Sequence, residues 1–385
     1  MCRHCDVLVV GAGVAGVPAA VAAARAGAET VLLEKRHHPG GAGVVGLHRY
    51  ICGLYVNSPT PSGELLNAGL VSEICDRLHA LSAGRRPLRL GKVDVLPYSP
   101  GHLCQVFTDM ISEETHLRTL FGTSASGVHL DAGVVRRVAA GDTEIVPTVV
   151  VDCSGDGVVI QCDRTLHESA PEAVRQLAGY TVRISGLAAS DDMLPIKVPY
   201  SIRQGVAAQV LPAHLQFTTF LPGDAPNEGW CKLSMLAGHS SASTAQEDAQ
   251  SLLEYLKGTL PAFAHSSISD SSPEALEREG PRLKGLYTLT ERDVLEGRKF
   301  PDVVARSAWP IEIWAPTSGP SYRYLEPGTS CDIPLRCLKA AAAENLLCAG
   351  RCISVTRLAL GSTRVMGPCM AIGESAGREA VRMVL

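Results

Sequence analysis

"DVLVVGAGVAGVPAAVAAARAGAETVLLEKRHHPGG", residues 6–41, decides the fold. Asp6 to Val10 is a short apolar run of the kind that forms a parallel strand buried on both faces. Gly11, Gly13 and Gly16 follow in G-x-G-x-x-G spacing. Gly11 permits the tight bend, Gly13 lets backbone approach a pyrophosphate, and Gly16 lets the next helix pack on the strand. That helix is alanine-rich from Ala19 to Ala26, carries Pro18 in its first turn, and ends at Gly27. Thr30 to Leu33 reads as a second strand with Glu34 at its end, where a carboxylate can accept both hydroxyls of a ribose. The unit predicts a dinucleotide site that includes Gly11, Gly13, Ala15, Gly16, Glu34 and Lys35.

Three features favour a flavin over a nicotinamide. Gly40 and Gly41 follow Glu34 closely, and a glycine pair allows the chain to run back along a dinucleotide. The one further G-x-G-x-x-G spacing, Gly41, Gly43 and Gly46, runs on from the first unit without a new strand before it, so it does not mark a built-in nicotinamide domain. A further glycine-rich segment lies near the C-terminus, and a flavin is long enough to need both ends of the chain.

Further blocks make the resemblance specific. They are "GLHRYICGLY" at 46–55, "VVVDCSGDG" at 149–157, "RLKGLYTLTERDVLEGRKFPDVVARSAWPIEIW" at 282–314 and "NLLCAGRCISVTRLALGSTRVMGPCMAIGESAG" at 345–377. With these blocks the chain resembles the FAD-dependent oxidoreductase family of the glutathione-reductase-like flavoproteins. The likeness is to the branch related to fumarate reductase and heterodisulfide reductase flavin subunits. The resemblance implies an α/β fold: a Rossmann-like FAD-binding domain of three-layer ββα architecture with an inserted α+β substrate domain. Boundaries are expected at 1–160 and 331–385 for the FAD-binding domain and 161–330 for the insert. It also implies that Asp156 lies near the cofactor and that Gly350 and Arg351 approach its ribityl–phosphate region. Gly361, Ser362 and Gly367 are expected to complete the C-terminal flavin segment, as a loop leading into a helix from about Cys369 to Val384. Trp314 stands where relatives often carry histidine, so substrate identity is not carried over.

Candidate chemistry falls on His48, Arg49 and Arg364. His48 and Arg49 sit in the loop expected beside the flavin ring. His48 reads either as a general base or flavin contact, or as a packed loop histidine. Arg364, between glycines, can stabilise reduced flavin or hold a substrate carboxylate, or can serve a structural ion pair. Cys52 reads as a buried thiol or as a reactive or flavin-linked one, and Tyr55 likewise as a buried or a reactive side chain. His37 and His38 are adjacent without visible partners, and no metal site is expected.

The remaining sequence bounds the class. The chain has 385 residues, 46% hydrophobic, with a formal net charge of −4, which gives no reason to expect nucleic acid as a partner. No apolar run reaches the roughly 18 residues of a membrane span. The N-terminus leads directly into a strand without room for a secretory leader, so a cytoplasmic location is expected. The 13 cysteines are scattered and odd in number, as for reduced core thiols. Helix character is expected at 101–114, strands at 117–121 and 134–138, strands within the middle region, an amphipathic helix from Ser243 or Thr244, and an exposed serine-rich loop at 266–272. The expected function is FAD-dependent oxidation or reduction of a small organic substrate by hydride transfer. The other reading is an electron-transfer subunit working with a partner protein. An electron-acceptor partner fits both.

Overall fold

The structure is a computed structural model that describes residues 2–58, 60, 63–82, 86–188, 191–238 and 241–385. Five strands lie parallel in the order Leu117–Phe121, Thr30–Glu34, Cys2–Val10, Thr143–Asp152 and Leu346–Cys348. Alternation along these strands separates two cores. Val7, Val9, Leu32, Val149, Val151 and Leu347 pack with the helices. Leu8, Val10, Val31, Leu33, Val150 and Leu346 pack instead under an antiparallel meander with Val135, Val138 and Ile145. The meander is Ala125–Asp131 and Val134–Ala140, leading back into Thr143–Asp152. Helix, parallel sheet and meander are the three layers expected of this Rossmann-like α/β fold.

The helical layer depends on small residues. Helix Gly16–Arg25 is buried from Gly16 to Ala24. Helix Met366–Val384 lies on it so closely that a Cβ on Gly373 would collide with the Ala15 carbonyl, and one on Gly377 with that of Ala19. Both contacts advance by four residues, so the helices run parallel and their N-termini point to the same end of the sheet. The seven residues from Met366 to Gly373 carry the longer helix about 10 Å beyond Ala15.

A second, antiparallel sheet is ordered Thr219–Pro222, Glu228–Met235, Ala178–Ser185, Ser267–Ser271. Tyr180, Val182, Ile184, Cys231, Leu233 and Met235 face helices Leu194–Ala207 and Ala242–Thr259. Their neighbours Thr181, Trp230, Lys232 and Ser234 therefore line the opposite face. Residues between Leu289 and Ile333 pack with the first core, including Ile311 and Ile313 of the hairpin Ile311–Ala315/Gly319–Arg323.

Several local expectations change. Residues 267–271 form an edge strand rather than a loop, and Ser266 and Ser272 are buried, with the Ser272 N–H donating to Thr181 O. Serine composition suggests a loop, but alternation on an edge strand is also polar. Arg357–Thr363 is a helix, capped where Thr356 Oγ1 accepts the Ala359 N–H. The final helix starts at Met366, three residues before the expected position, with Pro368 in its first turn. Part of "HLQFTTFLP" is a 3₁₀ turn, Ala213–Phe217, before the short strand. Helices Leu70–Leu81 and Leu194–Ala207 had no counterpart in the expectation.

Two glycines check this packing in opposite directions. Gly377→Val should lower stability by about 1–3 kcal/mol or more through overpacking against Ala19. Gly258→Ala, in helix Ala242–Thr259 with open space around it, should raise stability by about 0.5–1 kcal/mol. Thermal unfolding of the two variants beside the parent chain measures both.

Candidate functional site: a glycine cradle and a cationic face

The cradle forms where the parallel strands end. Gly11 takes φ +99°, and a Cβ there would meet the Cys153 and Ser154 backbone at 2.7 and 2.8 Å. The Ala12 N–H donates to Glu34 Oε2 at 2.7 Å, and the Arg36 N–H to Glu34 Oε1 at 2.9 Å. The Gly40 N–H donates to Ala12 O, and Gly41 backs onto Gly13. A Cβ on Gly13 would meet nothing nearer than the Gly41 Cα at 3.9 Å, so that face of the turn is open. Gly350 rests against Ala15, whose helix has no side-chain cap. Gly11, Gly13, Ala15, Gly16, Glu34, Gly40, Gly41 and Gly350 are thus brought together.

Asp152 was not singled out from the sequence, yet it holds the neighbouring turn. It is fully buried, and its carboxylate accepts from Ser154 N–H and Oγ and from the Val159 and Ile160 N–H groups. Asp156, at the tip of that turn, pairs with Lys35 at 3.3 Å and with Arg351 at 2.6 Å. Arg351 also donates to the Gly155 and Glu277 carbonyls, so it clamps the turn to the segment at 277.

The second feature lies past the N-terminal end of helix Met366–Val384. The chain reaches it from Gly41 through a short helix, Ala42–Val45, whose Gly43 carbonyl accepts from Tyr98 Oη. His48 follows, half-buried, with its Nε2 folded back over Gly46. Burial, reinforced by Lys232, Arg278 and Arg364, pushes the His48 imidazole down to about 3, against the opposing pull of Glu312. It is therefore neutral at physiological pH, and its ring nitrogen is only weakly basic. Burial pushes the Cys52 thiol up to about 12, with Glu312 adding to it and Lys232 and Arg364 opposing. That protonated thiol is a poor nucleophile, so the reading of Cys52 as a buried thiol fits better than an attachment point.

The residues that dominate this face escaped sequence reasoning. Lys232 projects from the polar face of the second sheet, 5.9 Å from the centre of the Trp314 ring. Arg278 lies 4.3 Å from the same ring centre. Glu312 accepts the indole N–H of Trp309 at 3.0 Å and of Trp314 at 2.5 Å. Burial works to raise the Glu312 carboxyl, but Arg364, the Trp314 donor, Lys232 and Arg278 together hold it below its ordinary range. Burial and then Arg278 lower Lys232 to about 8, with Arg364 acting the same way and Glu312 and Cys52 opposing, so it is mostly charged at neutral pH. Arg364 caps helix Arg357–Thr363 and donates to the Glu312 carbonyl at 3.4 Å.

Three expected site residues take other places. Arg49 points away: it donates to the Pro222 carbonyl, pairs with Asp224 and lies 5.9 Å from the Trp230 ring centre, bracing its loop to the second sheet. Gly361 packs on the Glu312 backbone. The Ser362 hydroxyl is buried, bonding Ser307 Oγ at 2.9 Å and the Trp309 carbonyl at 2.6 Å. Gly361 and Ser362 are thus packed against the protein, where they help position Glu312 and Trp309. Gly367 seats the last helix against the Gly53 backbone. Tyr287 donates to Asp293, which also receives Arg298, so these residues brace their own loop.

The cradle and the sheet above it define a dinucleotide-binding α/β protein. The sequence model of the FAD dependent oxidoreductase family matches residues 6–384, and the chain belongs to that family; its cofactor is FAD. No curated protein matches the chain by sequence. Among solved structures, it is similar to a geranylgeranyl bacteriochlorophyll reductase-like protein from Thermoplasma acidophilum, at 13% identity and a TM-score of 0.45 over 99% of this chain and 78% of that one. It is similar to the flavin-dependent brominase Bmp2 at 11% identity and 0.49, over 99% and 80% of the two chains. For L-proline dehydrogenase from P. horikoshii the values are 11% and 0.47, over 98% and 93%. Among the described residues, no helix is long and apolar enough to cross a membrane.

The depressed imidazole has a measurable consequence for stability. Unfolded, His48 takes up a proton as pH falls through its ordinary value of 6.5, whereas folded it does so only near 3. The unfolded chain binds more protons in between, so this contribution is complete above 6.5 and is lost as pH falls toward 3. The stability gap between the parent and His48→Gln should shrink by about 2 kcal/mol from pH 7 to pH 4, after discounting for partial exposure. Urea unfolding across that range reads it out.

Proposed function

We propose that this FAD-dependent oxidoreductase moves a hydride between a small organic molecule and flavin N5, with the substrate received on the face formed by His48, Lys232, Arg278, Glu312 and Arg364. One observation carries this reading: a neutral histidine and a group of charged side chains converge past the N-terminus of helix Met366–Val384, at the far end of the cradle. Bound FAD supplies a two-electron carrier; all other roles belong to the chain.

In this reading, Gly11, Gly13, Ala15 and Gly16 admit the diphosphate to the backbone, helped by the N-terminal end of helix Gly16–Arg25. Glu34 turns toward the adenosine ribose, and Gly40, Gly41 and Gly350 let the chain lie close along the cofactor. Asp156, Lys35 and Arg351 close the side of the cradle, and Gly367 admits the last helix to its far end. Residues 1–160 and 331–385 form the cofactor-binding unit, joined by the segment from Leu289 that packs with the same core, and the rest of 161–330 covers the substrate. The open cradle face and the glycines whose side chains would collide with backbone support this fit.

His48 accepts or returns the substrate proton at a ring nitrogen. Burial and the nearby cations keep it neutral at rest, and an anion that offsets those cations would raise its basicity toward the working range. Trp309 and Trp314, tied to one carboxylate, exclude water from the reacting face and hold it rigid. Arg364 orients the substrate beside them.

The test is anaerobic mixing of the purified yellow protein with a panel of small organic acids, amines and alcohols. Loss of the visible flavin band with a small molecule alone is expected. His48→Gln should keep its flavin and lose about 10²–10⁴-fold in the rate of that bleaching. Bleaching that needs a second protein, and occurs with no small molecule, would replace this reading with an electron-transfer subunit.

A further inference from the structure

We propose that the substrate is a small organic carboxylate, gripped by Lys232, Arg278 and Arg364 over the Trp314 ring. The proposal rests on the substrate reading above and adds the chemical class that this face selects.

The three cations come from separate parts of the chain: strand Glu228–Met235, the segment before strand Arg282–Leu283, and the end of helix Arg357–Thr363. Each acts electrostatically on the same two groups, His48 and Glu312. Among the described residues, none of the three has a carboxylate within ion-pair distance. Lys232 has no hydrogen-bond acceptor there either. Arg278 is only 7% exposed, and its guanidinium donates to the Leu177 carbonyl. Arg364 reaches a backbone carbonyl at 3.4 Å, while its Nε is buried without a partner.

The chain handles its other junction arginines differently. Arg351 finds Asp156, Arg357 finds Glu279 and Arg282 finds Glu168. On this face Glu312 takes its side-chain hydrogen bonds from the indoles of Trp309 and Trp314, and Glu277 acts on Arg278 only at longer range, outside ion-pair distance. Three positive charges therefore face Glu312 without an ion pair to it, each of its oxygens already accepting an indole N–H. Uncompensated charge away from water is costly, and removing a partner from a buried pair typically costs several kcal/mol. An arrangement of this kind holds together most favourably when an anion arrives.

The shape narrows the class. Arg278 and Lys232 both lie over the Trp314 ring, so two of the three cations are gathered at one indole. A planar carboxylate can take the guanidinium fork in two parallel bonds and the ammonium as a point charge. The carbon skeleton would then lie beside the indole on the side of His48, the imidazole on which the same three cations act. Inorganic phosphate offers the same kind of oxygen but no skeleton for the indole.

The experiment uses the oxidised, FAD-loaded protein and needs no turnover. Benzoate, acetate and succinate are titrated while the visible flavin spectrum and tryptophan fluorescence are followed. Benzamide and inorganic phosphate serve as comparisons. Saturable binding of at least one carboxylate is expected, with benzamide and phosphate binding at least about 10-fold more weakly. Arg364→Gln and Lys232→Gln should each weaken the carboxylate by about 10-fold or more, at unchanged flavin content. Equal binding of benzoate and benzamide, preference for phosphate, or no binding of any carboxylate overturns the proposal. The acid-against-amide comparison is made on the parent chain, so it stands even if a variant folds poorly. Carboxylate binding without bleaching by any small molecule would refute the hydride-transfer reading and leave this one intact. Bleaching by neutral molecules alone would do the reverse.

Discussion

Helix Met366–Val384 lies against helix Gly16–Arg25 backbone to backbone, at the carbonyls of Ala15 and Ala19. Only glycine at 373 and 377 allows that approach, and the alanine run from Ala19 supplies a correspondingly thin partner. This contact brings the C-terminus of the chain to the first strand–turn–helix unit. It also sets the two helix N-termini in tandem, about 10 Å apart along one direction. In the proposed reading, a long dinucleotide uses such a tandem, its diphosphate at one end and its flavin at the other. Gly53 and Gly367, Gly46 and His48, and Gly361 and Glu312 are further close approaches that follow once the two helices are fixed.

Electrostatics divides the site in two. At the cradle, charge is settled within the chain: Glu34 takes two backbone N–H groups, and Asp156 balances Lys35 and Arg351. At the other end it is left open, with Lys232, Arg278 and Arg364 around a Glu312 already bonded to tryptophans. The same field that keeps Glu312 ionised keeps His48 neutral. A neutral imidazole and the group of cations beside it are two products of one arrangement of charge. The arrangement is held from behind, where Ser362 bonds to Ser307 and Trp309, and Gly361 lies on the Glu312 backbone.

The first strand, glycine turn, helix and second strand were legible because their signal is local. A buried strand followed by G-x-G-x-x-G permits few structures, and Glu34 sits where the second strand must end. The cationic face was not legible beyond His48 and Arg364. Its members stand at 48, 232, 278, 312 and 364, and only the tertiary fold joins them. Within "WCKLSML" the alternation of Cys231, Leu233 and Met235 against Trp230, Lys232 and Ser234 was visible, but not which face the helices would cover. Arg49 was misplaced because a loop next to a site has two sides, and its side chain takes the one that meets Asp224. Gly361 and Ser362 were misplaced because small residues serve close packing as readily as close approach to a ligand. The cap at Thr356 was a usable sign that they lie on a helix.

The chain has three tryptophans, at 230, 309 and 314. Trp309 and Trp314 sit on the face assigned to the flavin end, joined through Glu312. Titration of the flavin-free chain, followed by tryptophan fluorescence, therefore tests directly whether both ends of the polypeptide hold one cofactor. Saturable quenching at one FAD per chain is predicted, with ADP competing for the cradle but leaving the tryptophans bright. A well-folded chain that ignores FAD, or that gives up its place to NAD at equal concentration, would contradict it.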